Sequence, residues 1–498
     1  MQLLGRLRGV AVLRSSWAWA VPAGLIYTVC RVPSFFEPHW YTDEAGYATT
    51  ARDILRGAPL YTQAWTNKPP IHLWTVALFI RLFGASEAGL HALTFVTGLI
   101  ALLGVAVLAR RLLSPGRAAL GTGLFALAIG LPVFQAQLAV PESLLIAPVT
   151  WAAVIVLTRL VVSDGRDQPM PAWAWSLVAG ALMGLALGIQ QTVLADMAVF
   201  SIVIALLPGV SRRVLPAYLL AFLAVVASWL APAVLVAGVP AVAFALVGFY
   251  QGYIAFSAPD SALAIGLRLL GPVLALIGTL MVRRDSKTSW ALWLWACADL
   301  AVAAIANRPY PHYLVPALAP TILAVVSIRG VRFPIRWRIA PLAAAVILTA
   351  PLAVVAAGLD SKTLNAYAAW PAAQLGKHQT EWSLNLEKRS PADEATAAWI
   401  RDHGLSQSTA VIWSSSAWLY LLADLPLALP TAPIYNDVVL FGSGSAVAAQ
   451  VDAMQPQLIV TEDDALSQWP EIGTVLAASY ELVYEHDPDR VYLRRPGG

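Results

Sequence analysis

Apolar runs long enough to cross a bilayer recur along the first 357 residues, each separated from the next by a short charged or aromatic gap. A spanning helix needs about 20 mostly apolar residues, because a rise of about 1.5 Å per residue then covers a hydrocarbon core of about 30 Å. About eleven spans are predicted, near residues 16–34, 89–109, 118–138, 143–160, 172–189, 192–208, 214–236, 263–282, 289–306, 313–328 and 338–357. Only 12% of residues are charged and 58% are hydrophobic, against about 25% charged in a soluble domain. A soluble globular chain is excluded.

The charges separate by region: 24 Lys+Arg and 12 Asp+Glu up to residue 358, then 8 and 17 beyond it. Arg6/Arg8/Arg14, Arg110/Arg111/Arg117, Arg159/Arg166, Arg212/Arg213, Arg283/Arg284/Lys287 and Arg329/Arg332/Arg336/Arg338 occupy every second gap. Such short basic clusters mark the cytoplasmic ends of spans, so the N-terminus is predicted inside and nucleic acid drops out as a partner. The other gaps face outward and hold Glu37, Asp43, Glu44, Asp53, Glu87, Glu142 and Asp260. An odd number of spans then places the tail outside the cytoplasmic membrane. The first span follows an Arg-bearing start as a signal peptide would, but its length and the lack of a small-residue cleavage site predict a retained helix. Cys30 and Cys297 lie in apolar stretches with no metal-ligand spacing, which argues against a disulfide framework or a zinc knuckle.

The tail reads as a small α/β domain. Ser390-Pro391-Ala392-Asp393-Glu394 combines an N-cap, a proline suited to the first helical position and acids in the first turn, with Gly404 closing the helix. Strands are predicted at 410–413, 458–461, 481–484 and 491–493, and helices at 415–422, 445–454 and 464–478. Gly442-Ser443-Gly444 lacks the context of a nucleotide loop and reads as a turn. The expected organisation is therefore mainly α: a polytopic membrane domain over 1–357 and an extracytoplasmic α/β domain over 358–498.

The first outward loop, residues 35–88, is far longer than a connection requires, and long loops usually carry a function. It opens with the aromatic Phe35-Phe36-Glu37-Pro38-His39-Trp40-Tyr41, suited to the membrane interface. Thr42-Asp43-Glu44-Ala45-Gly46-Tyr47 follows, with Ala48, Ala51, Ile54 and Leu55 at helical spacing. Two acids behind a Thr N-cap could serve only the helix dipole. Farther on, Asn67-Lys68-Pro69-Pro70-Ile71-His72-Leu73-Trp74 sets a cation beside a helix start, where an anion is welcome; Lys68 could also simply reach for water.

Asp43-Glu44-x-x-Tyr47, Lys68-Pro69-Pro70 with Trp74, and Phe83-Gly84 together resemble the first periplasmic loop of the ArnT-like and protein-O-mannosyltransferase-like membrane glycosyltransferases of the GT-C class. The resemblance implies a GT-C fold, a donor sugar linked to a polyprenyl phosphate, and a loop acid that activates the acceptor. Carried over, Asp43 becomes the candidate general base, Glu44 its helper or alternate, and Lys68 the phosphate-contacting lysine, with Tyr47 and Asn67 in support. Two positions depart from ArnT: Gly46 stands where an Arg is usual, and Asn67 where a metal-binding Glu is usual. Aminoarabinose transfer to lipid A and a bound zinc are therefore not expected from the motif. Paired acids at Asp43 and Glu44 suit a divalent ion, though nothing in the sequence requires one.

Glu142, in Val140-Pro141-Glu142-Ser143, is either a solvated or dipole-compensating acid at a helix start or, by the resemblance, a second acid near acceptor or sugar. Charges inside spans are costly and usually functional. Arg268, Arg308, His312 and Tyr313 all fall toward the outward side and could join Lys68 around a phosphate; snorkelling for Arg268 and interfacial anchoring for Arg308, His312 and Tyr313 are the plainer alternatives. Asp196 and Asp299 are expected to pair between helices. The partners implied are a polyprenyl-phosphate sugar, an acceptor that is a lipid, glycan or protein, and membrane lipids, for a monomeric chain. A transporter or flippase is the competing class, but transporters place their sites near the bilayer midplane in repeated halves, whereas these candidates gather at one face.

Overall fold

The computed structural model describes residues 20–161, 170–206, 213–255, 262–282, 287–305, 310–328, 361–376, 378–414 and 416–496. The chain forms two compact units, one of Met1–Ser34, Thr94–Ser228 and Pro259–Leu364, the other of Phe35–Leu93, Trp229–Ala258 and Asn365–Gly498.

Helices occupy ten of the eleven predicted spans: Ala20–Arg31, Glu87–Leu112, Pro115–Gly130, Pro141–Val154, Ala172–Leu187, Leu194–Ala205, Val214–Ala237, Ala262–Met281, Lys287–Ile305 and Val315–Ser327. By length and composition Glu87–Leu112, Pro141–Val161, Val214–Ala237 and Thr288–Ile305 are apolar enough to cross a membrane. The segment predicted at 118–138 ends early, at Gly130, with Pro132 two residues on, because the residue before a proline is pushed out of the helical region. The predicted span at 338–357, the basic clusters at 6–14 and 329–338, Asp260 and Arg308 lie outside the described residues.

Within the first unit the helices pack through small residues. Gly180 and Gly184 are four apart on Ala172–Leu187, and a Cβ at Gly180 would lie 2.0 Å from the Tyr218 carbonyl oxygen. Only glycine permits that approach, the close-packing device of helices in lipid. Exposed leucines such as Leu220 and Leu223 point outward, as lipid-facing side chains do.

In the second unit the tail is built on a four-stranded sheet, β1 Ala410–Trp413, β2 Leu458–Glu462, β3 Tyr480–His486 and β4 Asp489–Arg494, in the order β1-β2-β4-β3. β1 and β2 run parallel with Val411 opposite Ile459, while β4 is antiparallel to both β2 and β3. The two parallel strands are buried along their whole length, which is why they read as unbroken apolar runs. Val411, Trp413, Ile459, Val447, Val451 and Ile472 share their core.

The predicted strands are all present, each within three residues at either end. The helix predicted at 464–478 is two, Asp463–Gln468 and Ile472–Ser479, because Pro470 lacks the amide that would continue the first. The Gly442–Gly444 turn is a cap at both ends: Gly442 closes one helix at φ +90° and Ser443 accepts from the Ala446 amide at 3.1 Å to open the next. Ser390 is already the first residue of its helix, and Arg389 takes the capping position.

Arg389 organises one end of this sheet. It pairs with Glu462, with Asp393 at 3.1 Å and with Asp489 at 3.5 Å. Burial pulls the guanidinium down, but the three carboxylates outweigh it and its pKa rises. Each carboxylate meets one cation and two anions, so burial wins at Asp393 and pushes it up to about 7 despite Arg389. Between its ordinary 3.8 and about 7 the folded chain holds a proton that the unfolded chain has lost. The contribution of this group to stability is therefore complete below about pH 4 and is lost as the pH rises through about 7. Thermal unfolding of the purified protein should show a midpoint to which this group contributes a fall between about pH 4 and pH 7, and Asp393→Asn should remove that contribution. An unchanged pH profile in Asp393→Asn would remove Asp393 from the account.

Candidate active site on the first loop

The loop folds as two helices, Thr42–Leu55 and Pro70–Phe83, packed side by side in the second unit. Tyr41, not Thr42, takes the capping position of the first, and no side chain caps it. The acids in its first turn therefore do not extend a capping motif. Pro70 begins the second helix after Pro69 in an extended conformation, so Lys68 stands just ahead of that helix start, as the two prolines require.

Asp43 and Glu44 are adjacent but face different surroundings. Asp43 is partly buried and accepts a hydrogen bond of 2.6 Å from the Tyr435 hydroxyl. Tyr435 lies on Ile434–Phe441 in the tail. Burial first, and then Asp43, push the Tyr435 phenol well above its ordinary pKa, so it stays a donor. Glu44 is 0% exposed, and its Oε2 lies 3.4 Å from His91 Nε2.

Tyr47, one turn beyond Asp43, connects the two motifs. Its ring lies 5.9 Å from Lys68 Nζ and meets the His72 ring edge-on at 4.7 Å. The Lys68 carbonyl accepts from Tyr61 at 2.8 Å, and the Asn67 carbonyl from Tyr250 at 3.5 Å, so the segment carrying the lysine is fixed through its backbone. A Cβ at Gly46 would lie 3.2 Å from Pro433 Cγ. A side chain at this position would press on Pro433, just ahead of the helix that presents Tyr435.

A second cluster lies beside this helix. Glu37 accepts from Trp40 Nε1 at 2.7 Å and from the Tyr367 hydroxyl. Burial pushes the Glu37 carboxyl up, partly countered by His91 and by those two donors. Glu37, Glu87 and His91 bring one ligand atom each within 4.8 Å of one another, a set able to hold a metal ion. A cavity of about 140 Å³ opens at the start of the Asp43 helix, lined by Trp40 and Thr42 from the loop and by Arg389, Asp393, Glu462 and Asp464 from the tail.

The remaining candidates belong to the first unit. Glu142 is buried, not solvated, and accepts from Gln190 Nε2 at 3.0 Å. His312 is buried with Nδ1 3.0 Å from Gln135 Oε1, stacked with Tyr310 and edge-on to Tyr313 at 4.8 Å. Arg268 lies on Ala262–Met281, but its side chain, like Arg308, is outside the described residues. Asp196 accepts from Trp295 at 2.6 Å, the interhelical pairing expected of it. Arg31, inside the first span, is a buried cation that the reading of spans passed over: its Nη2 donates to Thr94 Oγ1 at 2.7 Å, and Thr94 donates to the Gln137 carbonyl.

The fold is of the GT-C type, the fold of membrane glycosyltransferases. Residues 67–236 match the family model described as dolichyl-phosphate-mannose-protein mannosyltransferase. The chain is similar to the structure of ArnT from Cupriavidus metallidurans bound to undecaprenyl phosphate, at 16% identity and a TM-score of 0.61 over 97% of this chain and 99% of that one. It is also similar to the oligosaccharyltransferase AglB from Archaeoglobus fulgidus, in complex with an inhibitory peptide and a dolichol-phosphate, at 14% identity and a TM-score of 0.50 over 96% of this chain and 74% of that one. No curated protein matches it in sequence. The resemblance read from the loop is borne out.

Proposed function

We propose that the chain transfers a sugar from a polyprenyl phosphate to an acceptor hydroxyl at the outer face of the cytoplasmic membrane. Its eleven spans would leave the N-terminus inside and the domain from residue 358 outside, with one chain sufficient for activity. The observation that carries this reading is the pairing of the two loop motifs: Asp43, held by Tyr435 at 2.6 Å, shares a helix with Tyr47, whose ring lies against Lys68. A base and a phosphate-binding cation on one rigid helix pair are what transfer from a lipid phosphate needs.

In the reaction the acceptor hydroxyl gives its proton to Asp43 as its oxygen bonds to the anomeric carbon. The carbon–oxygen bond to phosphate breaks, and the polyprenyl phosphate leaves with the electron pair. Displacement from the opposite face inverts the sugar. Tyr435 fixes one carboxylate oxygen and leaves the other to take the proton, while Lys68 meets the charge that grows on the leaving phosphate. Glu44, buried against His91, positions the helix and does not touch the acceptor.

Radiolabelled polyprenyl-phosphate sugar tests the reading. Wild-type protein should cleave the sugar–phosphate bond, by transfer or slow hydrolysis, whereas a transporter would leave it intact. Lys68→Ala should lower the rate by about 10²-fold, as loss of one preorganised charge contact of about 3 kcal/mol does, with the purified protein otherwise unchanged. An unaltered rate in Lys68→Ala would take the lysine out of the mechanism.

A further inference from the structure

We infer that Glu37, Glu87 and His91 form a binding site for one divalent transition-metal ion, zinc by its chemistry, which staples the start of the first outward loop to its end. One ligand atom from each residue already lies within 4.8 Å of the others. Bonds of about 2.1 Å would need the widest of these separations to close to about 4.2 Å or less, a side-chain adjustment. The donor set also selects the ion: one imidazole with two carboxylates suits zinc, while calcium and magnesium favour oxygen alone.

Glu87 supplies the independent reason. Glu87 is 3% exposed, and neither of its carboxylate oxygens receives a hydrogen bond among the described residues, although His39 Nδ1 forms an ion pair with it at 3.6 Å. Buried carboxylates are ordinarily hydrogen-bonded or coordinate a metal. Glu37, by contrast, is already oriented by Trp40 and Tyr367, the kind of outer contact that aims a metal ligand, and a carboxylate keeps lone pairs beyond those two bonds.

Glu37, Glu44 and Glu87 place three carboxylates around His39 and His91. A doubly charged ion would offset two of them without a proton on either ring, and the neutral imidazole is the form that ligates a metal. Glu87 and His91 are also four residues apart, hence on one face of Glu87–Leu112. Through Glu44, beside His91, the ion would fix the helix that carries Asp43.

The inference does not rest on the transfer reading, because metal content is measured without donor or acceptor. Full-length protein in detergent, stripped with a chelator, reconstituted with zinc sulfate and desalted, should retain about one zinc per chain by elemental mass spectrometry. Glu87→Gln and His91→Gln should each lower the retained zinc at least tenfold, while Asp43→Asn should keep it. Cobalt substituted into the wild type, which needs no variant to fold, should give visible ligand-field bands. Wild-type protein with neither zinc nor cobalt bands would overturn the site, as would undiminished zinc in Glu87→Gln or its loss in Asp43→Asn.

Discussion

Asp43→Asn is expected to lower sugar transfer by at least about tenfold, and by about 10²- to 10⁴-fold where proton removal limits the rate, the usual span of a general base. The amide keeps the shape of the carboxylate and can still accept from Tyr435, so the variant should insert and purify like the wild type. Tyr435→Phe separates positioning from proton transfer. It preserves the buried ring and removes only the 2.6 Å hydrogen bond to Asp43, worth about 1.5 to 3 kcal/mol when the acceptor is charged. Its kcat should fall by about tenfold or more, while KM for the polyprenyl-phosphate sugar stays near the wild-type value, because the phosphate contacts are untouched. Wild-type turnover in Asp43→Asn would end the assignment of the base. A Tyr435→Phe variant that raised KM and spared kcat would instead place the tyrosine in donor binding.

Residues neighbouring in sequence made the loop and the tail readable. Asp43, Glu44 and Tyr47 share one helix, and the Lys68-Pro69-Pro70 stretch meets it through Tyr47, because short-range periodicity and proline placement already define both elements. The two parallel strands of the tail were legible because burial on both faces leaves an apolar run. Tyr435 was not legible: 392 residues separate it from Asp43, and nothing local distinguishes one tail tyrosine from another. The Glu37–Glu87–His91 cluster left a faint signal. Glu87 and His91 are an i, i+4 pair of metal-ligand types at the start of a span, and charged or imidazole groups there are costly unless partnered. Arg31 carried the same signal.

The structure also predicts that Arg52→Ala releases the Asp43 helix from the tail. Arg52 Nη1 donates to the Tyr420 carbonyl and Nη2 to the Leu425 carbonyl, both at 2.5 Å, and Nε donates to Asp53 at 3.1 Å. With 7% of the residue exposed, the substitution takes the charged donor from two buried carbonyls, of which Tyr420 keeps the Leu425 amide at 2.9 Å, and leaves Asp53 the longer Arg56 contact at 3.9 Å. Breaking a buried ion pair on one side typically costs about 3 to 5 kcal/mol. Arg56, on the same helix, pairs with Asp424, but those side chains are 35% and 49% exposed, so Arg56→Ala should cost no more than about 1 kcal/mol. Arg52→Lys should fall between, since an ammonium cannot fork to two carbonyls and a carboxylate at once. Hydrogen exchange read over residues 42–55 measures the difference directly. Exchange should accelerate strongly in Arg52→Ala and little in Arg56→Ala, and transfer should fall with the former because Tyr435 can hold Asp43 only while the helix is docked. Equal protection in both variants would mean that apolar packing alone seats this helix.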